Sequence, residues 1–214
     1  MPSTPRMSRL LLAFVIALSS STGVLAVATP AYAHPASHVV VPASDVLATA
    51  ENEVGTPEGS ARADSYGAAV NLSESTLTYA WCAAFVSWVM ERTGATGFRS
   101  ASVGDWIAMA AADDYGLSVT DHPRPGDLVA FDWDGNGDFA YPARHIGIVA
   151  SRPSGGEFTT IEGNTTLPSG GQGVAERVRS TAAGYSTLFI RIVGSHTSSA
   201  PRTVNSDPAR DATR

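Results

Sequence analysis

An α+β fold follows from three features of the sequence. Helical periodicity dominates the chain up to about Gly116, and short apolar runs bounded by turn residues take over after Pro123. The two patterns do not alternate, which excludes a run of βαβ units. The third feature is Arg124-Pro125-Gly126-Asp127, a turn that marks the change of character. Helices first and strands second predict N-terminal helices packed on an antiparallel sheet of about five strands.

The elements can be justified in order. Ser44 is placed to cap a helix running to about Val54, with Leu47, Ala50 and Val54 on one side and Gly55 after the end. Thr56 to Gly67 is rich in glycine and small polar residues and reads as a loop or short turns. An amphipathic helix begins near Cys82, with Cys82, Phe85, Val86, Val89 and Met90 at helical spacing and Gly94 as its stop. Ser102 is placed to cap a further helix through Trp106, Ile107 and Met109, ending before Gly116. The expected strands are Leu128 to Phe131, His145 to Ser151, Phe158 to Asn164, Val174 to Arg179 and Leu188 to Val193.

The two ends differ from this middle. Arg6 and Arg9 precede the apolar run Leu10 to Leu18, and Ala31-Tyr32-Ala33 has the small-x-small form of a cleavage site. Residues 1–33 are read as a secretory signal peptide cut before His34, which implies a secreted protein, extracellular or in the cell wall. The apolar run is too short to span a bilayer, so no membrane association is expected after cleavage. Residues 34–43 read as a leader and 44–195 as a single domain, expected to be a monomer. Residues 196–214 are polar, contain Pro201 and Pro208, and read as a disordered tail.

Charge excludes some partners. The chain has no lysine and a formal net charge of −6. The signal peptide carries two arginines and no acid, so its removal makes the balance more negative. Nucleic acid and anionic membranes call for clustered basic charge, so neither is an expected partner.

Cys82 is the only cysteine. A lone cysteine in an exported chain pairs between chains, stays buried and inert, or is a free thiol with a function. Its place at a helix N-terminus brings unpaired backbone N–H groups and the positive end of the helix dipole to the sulfur. Both favour thiolate, the nucleophilic form. The alternative is a small core residue, since free cysteine is among the most buried types.

A cysteine nucleophile needs a base, and the base needs an orienting partner. Of the five histidines, His34 and His38 lie in the leader, His196 at the tail, and His122 in a loop before a proline. Only His145 heads an apolar strand. Period-two alternation places Thr160, Glu162 and Asn164 on one face of the following strand, where a carboxylate and an amide can position an imidazole. The alternative for Glu162 is the solvated face of an edge strand. Gly163, between Glu162 and Asn164, permits close backbone approach or a bulge.

Four blocks in this order resemble the CHAP family, the cysteine, histidine-dependent amidohydrolases/peptidases of the papain-like superfamily. They are Trp81-Cys82-Ala83-Ala84-Phe85-Val86-Ser87-Trp88-Val89, Pro125-Gly126-Asp127-Leu128-Val129, His145-Ile146-Gly147-Ile148-Val149 and Ile161-Glu162-Gly163-Asn164. The resemblance implies a papain-like CHAP domain with its cysteine on a helix and its histidine on the sheet. It implies Cys82 as nucleophile, His145 as base, Glu162 as orienting group and Asn164 as a further polar site residue. It implies an enzyme that cleaves amide bonds of bacterial peptidoglycan, as N-acetylmuramoyl-L-alanine amidase or peptide endopeptidase, without a cofactor. Tyr79 and Trp81 are near enough in sequence to line the cleft or to anchor the core. A catalytically silent exported domain that binds wall fragments or proteins is the alternative.

Between the first two strands lies Asp132-Trp133-Asp134-Gly135-Asn136-Gly137-Asp138. Oxygen-bearing side chains at alternate positions and a glycine at the sixth match the start of an EF-hand calcium loop. The twelfth position is Ala143, without the bidentate glutamate, and the flanks read as strands. The favoured expectation is therefore a hairpin turn with Asp and Gly serving turn chemistry, and Asp132, Asp134, Asn136 and Asp138 stand as a calcium candidate beside it. A zinc site is disfavoured, because no histidine pair has ligand spacing.

Overall fold

The structure, a computed structural model, describes residues 41–139 and 144–193. The expected signal peptide with its cleavage point, most of the leader and the tail lie outside these residues. Among the described residues no helix is long and apolar enough to cross a membrane.

The first helix, α1, spans Ala43–Glu51. Pro42 takes the N-cap position, so the expected Ser44 cap is not used; Ser44 is already helical and its hydroxyl bonds to Asp45. The helix stops before Val54 and closes in a turn at Gly55, whose φ is +94°. The stretch expected as loop contains a short helix, α2, at Ala61–Asp64 and a 3-10 segment at Ser65–Val70. Ser60 supplies the α2 cap by accepting from the Ala63 N–H at 3.1 Å. These turns bury Tyr66, which stacks on Trp81 and meets Phe85 and Trp88 edge-on. The Tyr66 hydroxyl donates to the buried carboxylate of Glu53 at 2.6 Å, and Arg62 pairs with the same carboxylate.

Helix α3 spans Cys82–Thr93 and ends on Gly94 in the left-handed region, with the Gly94 N–H returned to the Met90 carbonyl at 2.9 Å. Its spacing predicts an amphipathic helix, but every residue from Cys82 to Met90 is buried. A helix apolar on all sides belongs in the middle of a fold, and α3 sits there, packed against α1 and two central strands. Helix α4 spans Val103–Ala111.

The sheet has six strands: β1 Leu117–Val119, β2 Leu128–Asp132, β3 Arg144–Val149, β4 Glu157–Thr166, β5 Gln172–Ser180 and β6 Ser186–Ile192. Their order is β1-β6-β2-β3-β4-β5, and every neighbouring pair is antiparallel. The unexpected strand, β1, is three residues long and pairs with β6 near the other end of the domain. At the opposite edge, residues around Pro57 cover β5; Gly55 donates to the Val174 carbonyl and Val174 to the Thr56 carbonyl. Asp127, from the Pro-Gly-Asp turn, accepts from the Arg124 backbone N–H at 2.8 Å and from Arg191 Nε of β6 at 3.0 Å. That turn therefore ties the start of β2 to its neighbour β6 by side chain as well as by backbone.

Two apolar clusters divide the sheet by face. Ile146, Ile148 and Ile161 point into the large core under the helices. Val129, Phe131, Val149 and Phe158 form a second cluster on the other face, with Tyr185 and Phe189 against it. The alternation expected for β3 is what separates Ile146 and Ile148 from Val149.

One glycine sets how closely helix and sheet approach. A Cβ on Gly163 would stand 2.7 Å from Phe85 Cβ and 2.7 Å from the Trp81 ring. Gly163→Ala is expected to lower stability by about 1–3 kcal/mol, as overpacking does in cores. The check is the urea midpoint at unchanged m value.

Candidate active site

Helix α3 and strands β3 and β4 bring three of the expected side chains together. Cys82 is the first residue of α3, where no side chain caps the helix. It is 4% exposed, and its thiol is free. His145, the second residue of β3, is 7% exposed and interacts electrostatically with Cys82. Its Nε2 lies 2.9 Å from Glu162 Oε2 on β4. With Nε2 committed to Glu162, Nδ1 is the nitrogen left to face the sulfur. Sulfur, imidazole and carboxylate therefore form a row across the seam between helix and sheet.

Glu162 is fully buried and heavily bonded. Arg179 of β5 grips it with two nitrogens, Nε at 2.7 Å from Oε1 and Nη2 on Oε2. Thr160, two residues earlier on the same face, donates its hydroxyl to Oε1. Such a carboxylate is held in a fixed orientation and kept ionised. Burial alone would raise its pKa, but hydrogen bonds and charge from Arg179 and His145 outweigh burial and hold it at about 2. Burial likewise works against a charged His145. Interaction with Cys82 and then Glu162 overcomes that penalty and raises the imidazole well above its ordinary value.

Gly147 makes room for this carboxylate. A Cβ there would fall 2.7 Å from Glu162 Cγ, so the side chain lies across the bare backbone of β3. On its far side the imidazole is covered by Trp133, which follows β2 directly. The Trp133 ring stacks on His145 at 5.8 Å and 28° and on Phe131 at 4.9 Å and 7°. The Arg179 guanidinium lies over both Trp133 and Phe131, at 5.0 and 5.2 Å from the ring centroids.

The remaining expected residues are placed differently. Asn164 is half-buried and has no hydrogen bond to Cys82, His145 or Glu162. The alternation that would align it with Glu162 is broken by a bulge. Glu162 pairs with Ala175 and Thr165 with Gly173, so Gly163 and Asn164 face one residue of β5, and Asn164 turns to a φ of +55°. Tyr79 and Trp81 do not line a cleft. Trp81 has no exposed surface and donates Nε1 to Glu58 at 3.3 Å. Tyr79 is buried, its hydroxyl has no partner, and burial beside Asp64 and Glu74 pushes its pKa up to about 12. Both are core anchors.

Arg179 and Trp133 were not singled out from the sequence. A signal existed for Arg179: a carboxylate on a sheet face needs a cation if it is buried, and Arg179 lies in the neighbouring expected strand. Trp133 was hidden inside the acidic turn. Among the described residues, the one group of three acidic, histidine or cysteine side chains able to hold a metal is Asp132, Asp134 and Asp138.

A buried cysteine–imidazole–carboxylate row at a helix-to-sheet seam defines the class of an α+β thiol domain. Residues 74–164 match the family model of the CHAP domain. Among solved structures it is similar to the crystal structure of a wild type endolysin, LysIME-EF1, with 20% sequence identity and a TM-score of 0.46 over 72% of this chain. The chain spans 65% of that structure's length. No match is found among curated proteins.

The Glu162 shift makes stability depend on pH. A carboxylate whose pKa is lower in the folded state stabilises the fold above its unfolded value and loses that contribution as pH falls through the folded one. From the ordinary 4.5 to about 2, wild-type stability is therefore expected to fall more steeply than that of a folded Glu162→Gln variant. Chemical denaturation at stepped pH between those values checks this.

Proposed function

We propose that this protein is an exported cysteine hydrolase that cleaves amide bonds of bacterial peptidoglycan, as N-acetylmuramoyl-L-alanine amidase or as peptide endopeptidase. The CHAP family match at residues 74–164 supports a peptidoglycan hydrolase. The observation that carries the finer reading is His145, which bonds to Glu162 on one side and interacts with Cys82 on the other. The cleavage-site pattern at Ala31-Tyr32-Ala33 supports export.

The chemistry follows from the groups. Nδ1 of His145 takes the thiol proton, and the Cys82 sulfur attacks the amide carbonyl. The uncapped first turn of α3 offers backbone N–H groups to the developing oxyanion, a contribution worth about 10²–10³ in rate per donor in other hydrolases. The imidazolium then passes its proton to the leaving amine, and the acyl group stays on sulfur as a thioester. Water, deprotonated by the neutral imidazole, releases the carboxylic acid and restores the thiol. Glu162 keeps Nε2 engaged throughout, so the same ring nitrogen faces the sulfur in both halves of the cycle. Arg179 keeps Glu162 ionised and immobile, acting on the reaction only through it.

Purified peptidoglycan incubated with the protein is expected to release new amine and carboxyl ends, and their identity names the bond. Cys82→Ala is expected to abolish release, and His145→Ala to lower it at least ~100-fold, with both variants folded by circular dichroism. Full hydrolysis by a folded Cys82→Ala protein rejects the reading. Binding of wall fragments without new ends from the wild type favours a silent domain.

A further inference from the structure

We propose that the turn between β2 and β3 is a calcium site built from the carboxylates of Asp132, Asp134 and Asp138, and that the ion steadies Trp133 over His145. One carboxylate oxygen from each aspartate lies within 4.8 Å of the others. Oxygens bound to calcium sit at about 2.3–2.6 Å from the ion, so two of them on opposite sides are separated by up to about twice that. The three side chains already fall inside that span.

An acidic turn alone does not require this arrangement. Asp and Gly serve turn chemistry through short local bonds, and the turn has these: Asn136 N–H to Asp134, Asp138 N–H to Asn136, and Gly137 N–H to Asp132 Oδ2 at 2.8 Å. Asp132 goes further. It is completely buried at the end of β2, paired with Arg144 on one side and Ser186 on the other. Its second oxygen, Oδ1, is buried with no hydrogen-bond partner. A buried carboxylate oxygen without a donor is costly, and native folds satisfy such groups. The acidic side chains grouped with it are Asp134 and Asp138, which bring further negative oxygens. A cation is a ligand that would satisfy Oδ1 and that the three carboxylates can share. The donor set is oxygen only, which selects a hard cation over zinc or copper, and a glycine-containing turn suits the irregular shell of calcium better than the octahedron of magnesium.

The position gives the site a consequence. Trp133 lies between Asp132 and Asp134, and its ring, 39% exposed, covers the imidazole of His145. The turn is fixed at its base, since a Cβ on Gly135 would meet the Gly184 carbonyl at 2.5 Å and Ser186 donates to the Gly135 carbonyl. An ion drawing Asp134 and Asp138 onto Asp132 therefore closes the turn on the tryptophan rather than moving the sheet.

The ion-binding half is independent of the hydrolase reading, so its test uses the full chain carrying Cys82→Ala. Terbium is the probe, because Trp133 inside the turn sensitises its emission. Tryptophan-excited terbium luminescence is expected, lost in Trp133→Phe, displaced by calcium at lower concentration than by magnesium, and at least about tenfold weaker in affinity in Asp134→Ala. Asp134 is exposed, so that variant folds; Asp132→Asn, isosteric at the buried position, is the second. Absent luminescence together with no calcorimetric heat at millimolar calcium, in a folded protein, overturns the site. Equal displacement by magnesium overturns the assignment to calcium. The coupling half rests on the proposed role of His145 and is read in the Cys82-containing protein as the iodoacetamide alkylation rate. Calcium is expected to change that rate in the wild type and not in Asp134→Ala, whereas the same rate with and without bound calcium overturns the coupling.

Discussion

The buried carboxylate of Glu162 is the constraint on which the rest of the site depends. A fully buried negative charge is unfavourable unless it is paired and its lone pairs are used. Here Arg179, Thr160 and His145 use them all. Because Arg179 supplies the compensating cation, Glu162 stays charged without taking a proton from the imidazole. Its remaining bond to Nε2 then fixes the ring, and Nδ1 is left for the sulfur. If Glu162 were neutral, the ring would lose both its orientation and the charge that favours its protonated form.

The fold supplies this arrangement through unequal faces. The helices cover one face of the sheet, and α3 is buried enough to fix the position of Cys82 at its first residue. The other face carries the aromatic cluster of Phe131, Trp133, Phe158 and Tyr185 with Arg179 laid over it. Two bare backbone positions make the faces meet. Gly163 lets β4 approach α3, and Gly147 lets the Glu162 side chain lie across β3. Both glycines are placed by packing rather than by turn conformation, since neither has a positive φ.

Much of this was legible in the sequence, where local pattern and burial agree. The α3 helix, its Gly94 stop and five of the six strands follow from periodicity and turn residues, and the Cys82, His145 and Glu162 set follows from the chemistry each needs. What was missed depends on contacts distant in the chain. Strand β1 is too short to show a period and exists because β6 pairs with it. Helix α2 and the 3-10 segment after it form in a stretch of small polar residues because Tyr66 is drawn into the core. Alternation failed at Asn164, where one extra residue on β4 turns the backbone to positive φ. Tyr79 and Trp81 lie next to Cys82 in sequence but on the core side of the helix start, a distinction that periodicity does not carry.

The central claim is that the charge on His145 is set by its two neighbours, sulfur and carboxylate, against the cost of burial. The most direct measurement is an NMR pH titration of the His145 ring in the wild type and in Cys82→Ala. The account predicts an imidazolium that persists well above the ordinary histidine value of 6.5 in the wild type and titrates at lower pH once the sulfur is removed. A ring that titrates at or below that value in both proteins would contradict it.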